Sequence, residues 1–456
     1  MGVAPLLRRL QEIIRNRGVF LWRIAFPRCQ MRWAVFCASI AENVFKKEIC
    51  MSLIKEIRTV RLKNMPNLLW VEIDTDEGLT GLGEVFRGAD AVESIIHNQL
   101  APTLLGKNSR SIEAISRALM TPYLGFHSSG AETRAASAVD IALWDLKGKR
   151  HGIPVHEALG GACREQVKIY NTCAGYSYNT SSSSYSTGVS RRMTSGGEAM
   201  SGPYDDQIAF MKDAGELARS LVDEGYFGMK IWPFDSYATA NHGTSISLSE
   251  LKKGLEPFAK ARKAVGDSIE IMAELHSLWA VQPAIRIAHA LEDYGVFWVE
   301  DPICKMDDVE SLAFVRASVR TPICGSETLA GLPTFRRLFA CNAVDVAMLD
   351  LSWCGGLTEG RKICALAEAN AIPVTPHDCT GPVVLWAGVH MSFHSPMVMC
   401  QEVVRANMAT WYTDLVDNLP VVANGVIGMP TLPGLGVTLK PEVKRRPDAI
   451  VVTSGQ

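Results

Sequence analysis

From about residue 166 onward the chain alternates between short apolar runs and stretches of helical periodicity. The runs are VKIYNTC (167–173), FGMKIWPF (227–234), IEIMAEL (269–275), VFWVEDP (296–302), PICGSE (322–327), VDVAMLDLS (344–352), IPVTPHD (372–378) and MVMCQE (397–402). Helical periodicity fills 207–224, 248–265, 281–294, 307–318, 333–340 and 356–370, and it is weak before the last run. Strands buried on both faces read as continuous apolar runs, which is the habit of parallel sheets. Eight such runs with helices between them predict a (β/α) barrel.

The chain ahead of the barrel reads differently. Residues 53–62 and 68–74 are predicted strands, and DEGLTGLGEV supplies a turn and a third strand. AETRAASAVDIALWDLKGKR follows as a helix, with Ala135, Val139, Leu143 and Leu146 at helical spacing. The expected organisation is an α+β domain over 51–165, a barrel over 166–405, and a segment over 406–456 that returns to the first domain. Residues 1–50 carry Arg8, Arg9, Arg15, Arg17, Arg23, Arg28 and Arg32, with Glu12 the one acid before Glu42. The favoured reading is an extension without a role, the domain pattern starting after Met51. The alternative is an organelle transit peptide. Arg23 and Arg32 interrupt the apolar runs there, so no bilayer span is expected. The Ser- and Gly-rich segment 174–206 is either a plain surface loop or a lid at the barrel mouth, where Arg191 and Arg192 would meet an anion.

A net charge of −2 gives no basic field for nucleic acid. The 12 cysteines include no CxxC pair, which fits reduced thiols and a cytoplasmic enzyme.

Carboxylates sit at the ends of successive runs: Glu274, Glu300, Glu327 and Asp350. The first three are 26 and 27 residues apart, one β/α unit each, so they fall at one height on neighbouring strands. A single such Glu is more often a cap or an ion pair. Three in register, without a Cys or His cluster, suit a hard cation, Mg²⁺ above all. His276 lies two residues after Glu274, and strand alternation puts both on one face. His377 ends the seventh run and Asp350 the sixth, a general-base arrangement in which the carboxylate fixes the tautomer. Glu402 ends the eighth run, near His377; the bland alternative is an ion pair with Arg405. Lys230 ends the second run, and an electrostatic role and a direct catalytic role weigh equally.

These residues carry a resemblance. AASAVDIALWDLKGK (135–149) with LGG (159–161), IMAELHSLWA leading to WVEDP, then GSETLAG, LDLSWCGGLTEG, PHDCTGP and QE resemble, in order, the motifs of the enolase superfamily's mandelate racemase subgroup. The resemblance covers about 53–440. It implies an N-terminal α+β capping domain, a modified TIM barrel of (β/α)₇β type, and a homo-oligomer, dimer to octamer. It implies that Glu274, Glu300 and Glu327 hold one Mg²⁺ per subunit, a pairing with a His or Lys base already known for that superfamily. It further implies that Asp350 and His377 abstract the proton α to a carboxylate. Glu402 would assist the enediolate. His276 matches the acid of galactonate dehydratase-like members.

Three departures bear on function. The Lys-x-Lys of racemases is Lys230-Ile-Trp232 here, the first metal ligand is Glu274 where Asp is usual, and the first cap loop, Lys63 to Asn67, is short. The expected activity is Mg²⁺-dependent dehydration of a sugar acid to a 2-keto-3-deoxy acid. The alternatives are a 2-hydroxy acid racemase or epimerase using Lys230 and His377, and a member that has lost turnover. The expected partner is a small carboxylate substrate, not nucleic acid or membrane.

Overall fold

The structure is a computed structural model that describes residues 51–121, 129–176, 178 and 203–455. The extension 1–50 and most of the segment 174–206, Arg191 and Arg192 included, lie outside the described residues. Among those residues no helix is long and apolar enough to cross a membrane.

The first sheet is antiparallel and contains β1 (Ile54–Leu62), β2 (Met65–Thr75) and β3 (Thr80–Phe86). Two residues, Lys63 and Asn64, turn β1 into β2. Helix α1 (Ala131–His151) lies across β3. The approach is close enough to demand glycine: a Cβ at Gly83 would stand 1.9 Å from the Ala138 carbonyl oxygen.

The second sheet is parallel in sequence order: β4 (Gln166–Thr172), β5 (Gly228–Ile231), β6 (Glu270–Glu274), β7 (Trp298–Glu300), β8 (Ile323–Gly325), β9 (Val346–Leu349) and β10 (Val374–Pro376). Strand β11 (Gln401–Val403) pairs with β4. Between β10 and β11 the ladder thins to one bridge, Val374 to Val398, with backbone hydrogen bonds Val374 to Met397 and Met399 to Val374. Helices α2 (Asp206–Asp223), α3 (Leu248–Val265), α4 (Val281–Leu291), α5 (Val309–Ser318), α6 (Leu332–Ala340), α7 (Gly356–Ala369) and α8 (Pro382–His394) follow the first seven strands, giving the modified (β/α)₇β barrel. The barrel interior below the strand ends is plugged by Tyr170, Met272, Trp298, Cys324, Val346, Met348 and Cys400. That plug leaves the carboxyl ends of the strands as the place for polar chemistry.

Helix α8 shows no sequence period because it has no solvent face: Pro382 to Phe393 are all buried. After the barrel, β12 (Val422–Ala423) and β13 (Val426–Gly428) form a hairpin around Asn424–Gly425 that adds antiparallel to β4. The chain then reaches β14 (Ala449–Gly455), which pairs with β1.

Two buried carboxylates tie the first sheet and α1 to the barrel. Glu84 of β3 accepts from the Val384 amide in the first turn of α8, and a Cβ at Gly381 would stand 2.4 Å from its Oε1. Asp140 of α1 accepts from the Thr358 amide at the start of α7. Helix N-termini present unpaired N–H groups and partial positive charge, so each acid completes the helix it touches.

Candidate active site

Glu274 and Glu300 end β6 and β7 and are register partners. Glu327 lies two residues beyond β8. One carboxylate oxygen from each of the three falls within 4.8 Å of the others. Lys230, at the end of β5, contacts Glu300, stands 2.9 Å from Glu402 and 3.5 Å from Glu274. Glu402 also accepts from the Thr172 hydroxyl at the end of β4, and Glu300 accepts from the Trp298 indole at 2.9 Å. Arg405 pairs with Asp206 and Glu224, so it does not claim Glu402.

The electrostatics are crowded. Burial, then the charge of Glu300, pushes the Glu274 carboxyl well above the usual carboxylate range. Asp301 is pushed up by burial and by Glu327, and among the described residues its buried Oδ1 has no hydrogen-bond partner. Burial works against the Lys230 ammonium, but Glu300 and Glu402 outweigh it and hold the proton on. Lys230 therefore stands among the carboxylates as their charge partner. Lys230 and the neighbouring His377 together do not balance Glu274, Glu300, Glu327, Asp301 and Glu402. The donor set is all oxygen and carries excess negative charge, which fits a hard divalent cation.

His377 follows β10 and Asp350 follows β9. Nδ1 of His377 bonds Asp350 at 2.9 Å, and Nε2 faces Glu327 at 3.0 Å. Asp350 is itself fixed by the amide and hydroxyl of Ser352, both at 2.6 Å. Burial disfavours the charged imidazole; Glu327 and Glu402 and the bond to Asp350 overcome that and raise its pKa. The neighbouring Asp378 bonds Thr380 and Tyr412.

His276 reaches the site by a route that strand alternation does not describe. Strand β6 stops at Glu274, and His276 and Ser277 both adopt left-handed backbone, φ 49° and 56°. The turn is held by the His276 amide donating to Glu274 at 2.6 Å and the Ser277 amide donating to the Asp301 carbonyl at 2.8 Å. The imidazole then bonds Asp235 and Tyr178. Trp232 does not line the cavity. It backs His276, ring centroids 5.4 Å apart.

These groups surround a cavity of about 400 Å³, a size suited to a small ligand. Phe86 and Arg87 from the end of β3, and Ser129 ahead of α1, form part of its wall with Trp353 and Cys304. Sequence reasoning missed Thr172, Tyr178, Asp235, Asp301, Arg87 and Trp353. Thr172 had a usable signal, since it pairs in register with Lys230 at a strand end. Arg87 had none: it lies outside every motif and strand-end acid position, in a left-handed turn (φ 70°) after β3.

Comparison with known proteins agrees with the architecture. The model of the mandelate racemase/muconate lactonizing enzyme N-terminal domain matches residues 57–160, and the enolase C-terminal domain-like model matches 213–443. A D-galactonate dehydratase of Ralstonia nicotianae is 30% identical over 85% of this chain and 92% of its own length. A D-xylonate dehydratase of Haloferax volcanii is 28% identical over 85% and 86%. Among solved structures, an enolase protein from Sargasso Sea environmental sequencing is 51% identical with a TM-score of 0.79, covering 89% of this chain and 100% of that one. An enolase of the mandelate racemase subgroup from Agrobacterium tumefaciens is 45% identical with a TM-score of 0.77, covering 88% and 99%.

Proposed function

The chain belongs to the enolase superfamily, in its mandelate racemase/muconate lactonizing enzyme family and its galactonate dehydratase-like branch, and from that premise we propose that it is a metal-dependent sugar-acid dehydratase. The observation that carries the reading is the His377–Asp350 pair, 2.9 Å apart, beside a convergent carboxylate trio. The similarity to dehydratases supports this reaction class, with a hydroxy acid of that kind as the substrate we infer.

Glu274, Glu300 and Glu327 would hold one divalent cation, Mg²⁺ by the chemistry of the donors. When bound it supplies positive charge where the substrate carboxylate becomes a dianion. His377 Nε2 takes the α-proton, and Asp350 keeps Nδ1 protonated and the ring in place. Lys230 neutralises the trio's surplus charge and orients Glu402. His276 stands on the third barrel strand's loop and His377 on the seventh's, on opposite sides of an eight-strand ring. As the C–O bond to the β-hydroxyl breaks, its electron pair goes to oxygen, which takes a proton supplied from the His276 side of the cavity. The enol left behind tautomerises to a 2-keto-3-deoxy acid. Lys230 lies among three carboxylates, which favours the dehydratase over a racemase that uses Lys230 as its second base.

The test is a panel of five- and six-carbon aldonates and aldarates, followed as keto-acid formation with Mg²⁺ and with EDTA. Turnover is expected with the cation and is abolished by the chelator. His377→Asn is expected to lower kcat by about 10²–10⁴ or more. A near-wild-type rate in that variant removes the dyad from the mechanism.

A further inference from the structure

A second hydrogen-bonded chain runs to the cavity from the side opposite His377. Asp235 Oδ2 lies 2.7 Å from His276 Nδ1, and His276 Nε2 lies 3.0 Å from the Tyr178 hydroxyl. Three elements meet there: the start of the short helix Asp235–Asn241 after β5, the left-handed turn after β6, and the loop after β4. Tyr178 and His276 line the cavity; Asp235 does not, and it is 4% exposed.

Each bond constrains the next. A carboxylate accepts only, so the Nδ1 that faces Asp235 must carry a proton. Nε2 is then the nitrogen turned to the cavity in either charge state of the ring. Trp232 blocks rotation from the side, with centroids 5.4 Å from His276 and 5.3 Å from Tyr178. Tyr178 is 6% exposed, so its side chain is packed, and it lines the cavity with its hydroxyl bonded to His276.

We propose that Asp235 is the positioning residue of His276, and that Tyr178 is a substrate-contacting residue whose O–H gives its proton to the departing β-hydroxyl while its oxygen takes the Nε2 proton of His276. The inference rests on the dehydratase reading and deepens it: the Asp350–His377 pair serves α-proton removal, and the Asp235–His276–Tyr178 chain serves departure of the hydroxyl. The two halves of the reaction then have separate supports, and damage to one leaves the other measurable.

The experiment uses the full chain with Mg²⁺ in deuterium oxide on the same panel of aldonates and aldarates. It follows α-proton loss, read as deuterium in recovered substrate plus product, and keto-acid formation. Asp235→Asn puts an amide where the acceptor was; the expected result is dehydration lowered about 100-fold or more, as when a histidine is left with the wrong tautomer. Tyr178→Phe is expected to lower dehydration about 10-fold, the scale of one lost hydrogen bond to the reacting group. In both, α-proton loss stays within about threefold of wild type, so exchange without elimination accumulates. Asp235→Glu restores part of the dehydration rate. If Asp235→Asn fails to fold, Tyr178→Phe, which removes one hydroxyl, carries the test. Dehydration within about threefold of wild type in Tyr178→Phe, or equal losses of exchange and dehydration, overturns the inference and leaves the dehydratase reading standing. A wild-type enzyme that neither exchanges nor dehydrates any acid of the panel overturns both.

Discussion

Lys230 is the residue on which the carboxylate cluster most depends. Its ammonium is buried among Glu300, Glu402 and Glu274. Removing one member of a buried charged group costs more than the group itself contributes, because the partners stay buried and unpaired. Lys230→Met is therefore expected to lose about 3–5 kcal/mol of stability in EDTA. Saturating Mg²⁺ should recover much of that loss, since the cation supplies the missing charge. Denaturant unfolding with and without the metal checks this; a variant as stable as wild type in EDTA contradicts it. At this scale much of the site was legible. The carboxylates announced themselves because one β/α unit separates each from the next. His276 was reached for the wrong reason: alternation along a strand placed it, whereas a left-handed turn pinned by Glu274 does so. Asp235 and Tyr178 were not legible, since they lie 41 and 98 residues from His276 and meet it only in three dimensions.

At the scale of elements, Glu84 and Asp140 dock β3 and α1 onto the first turns of α8 and α7. Burial pushes both carboxyls up to about 7. A folded-state pKa above the unfolded value means the fold holds a proton the unfolded chain has released. The associated stability is complete below the ordinary carboxylate range and is lost as pH rises through about 7. Each group then contributes a fall of about 1.4 kcal/mol per pH unit within that window. Glu84→Gln should cancel its share, so wild type minus variant stability should decline between pH 4.5 and 7. Parallel stability curves for the two proteins in that range would refute the assignment. Most helices were legible from their amphipathic period. Helix α8 was not, because burial on every side erases the period. The β12–β13 hairpin was overlooked although Asn424–Gly425 is a hairpin turn signal, because its strands are only two and three residues long.

Across the whole molecule, the carboxylate trio proposed to hold a cation joins β6, β7 and the segment after β8 at the barrel's open end. Binding there selects the folded chain, because the three carboxylates come together only in the fold. Thermal unfolding should therefore shift upward with Mg²⁺, by about 2.7 kcal/mol of stabilisation when the ion is at 100 times its Kd. Glu300→Gln is expected to flatten that response, and an unchanged titration in this variant would place the cation elsewhere. The sequence by itself determined the barrel order, the cap helix and the strand-end acids, because these depend on periodicity and spacing within one β/α unit. Only the tertiary structure decided which side chains face each other across the cavity. It clamped Lys230 among acids, set Arg87 and Phe86 from β3 into the wall, and linked Asp235 through His276 to Tyr178. Those contacts join residues far apart in the chain, where no local period or spacing records which partner packing will supply.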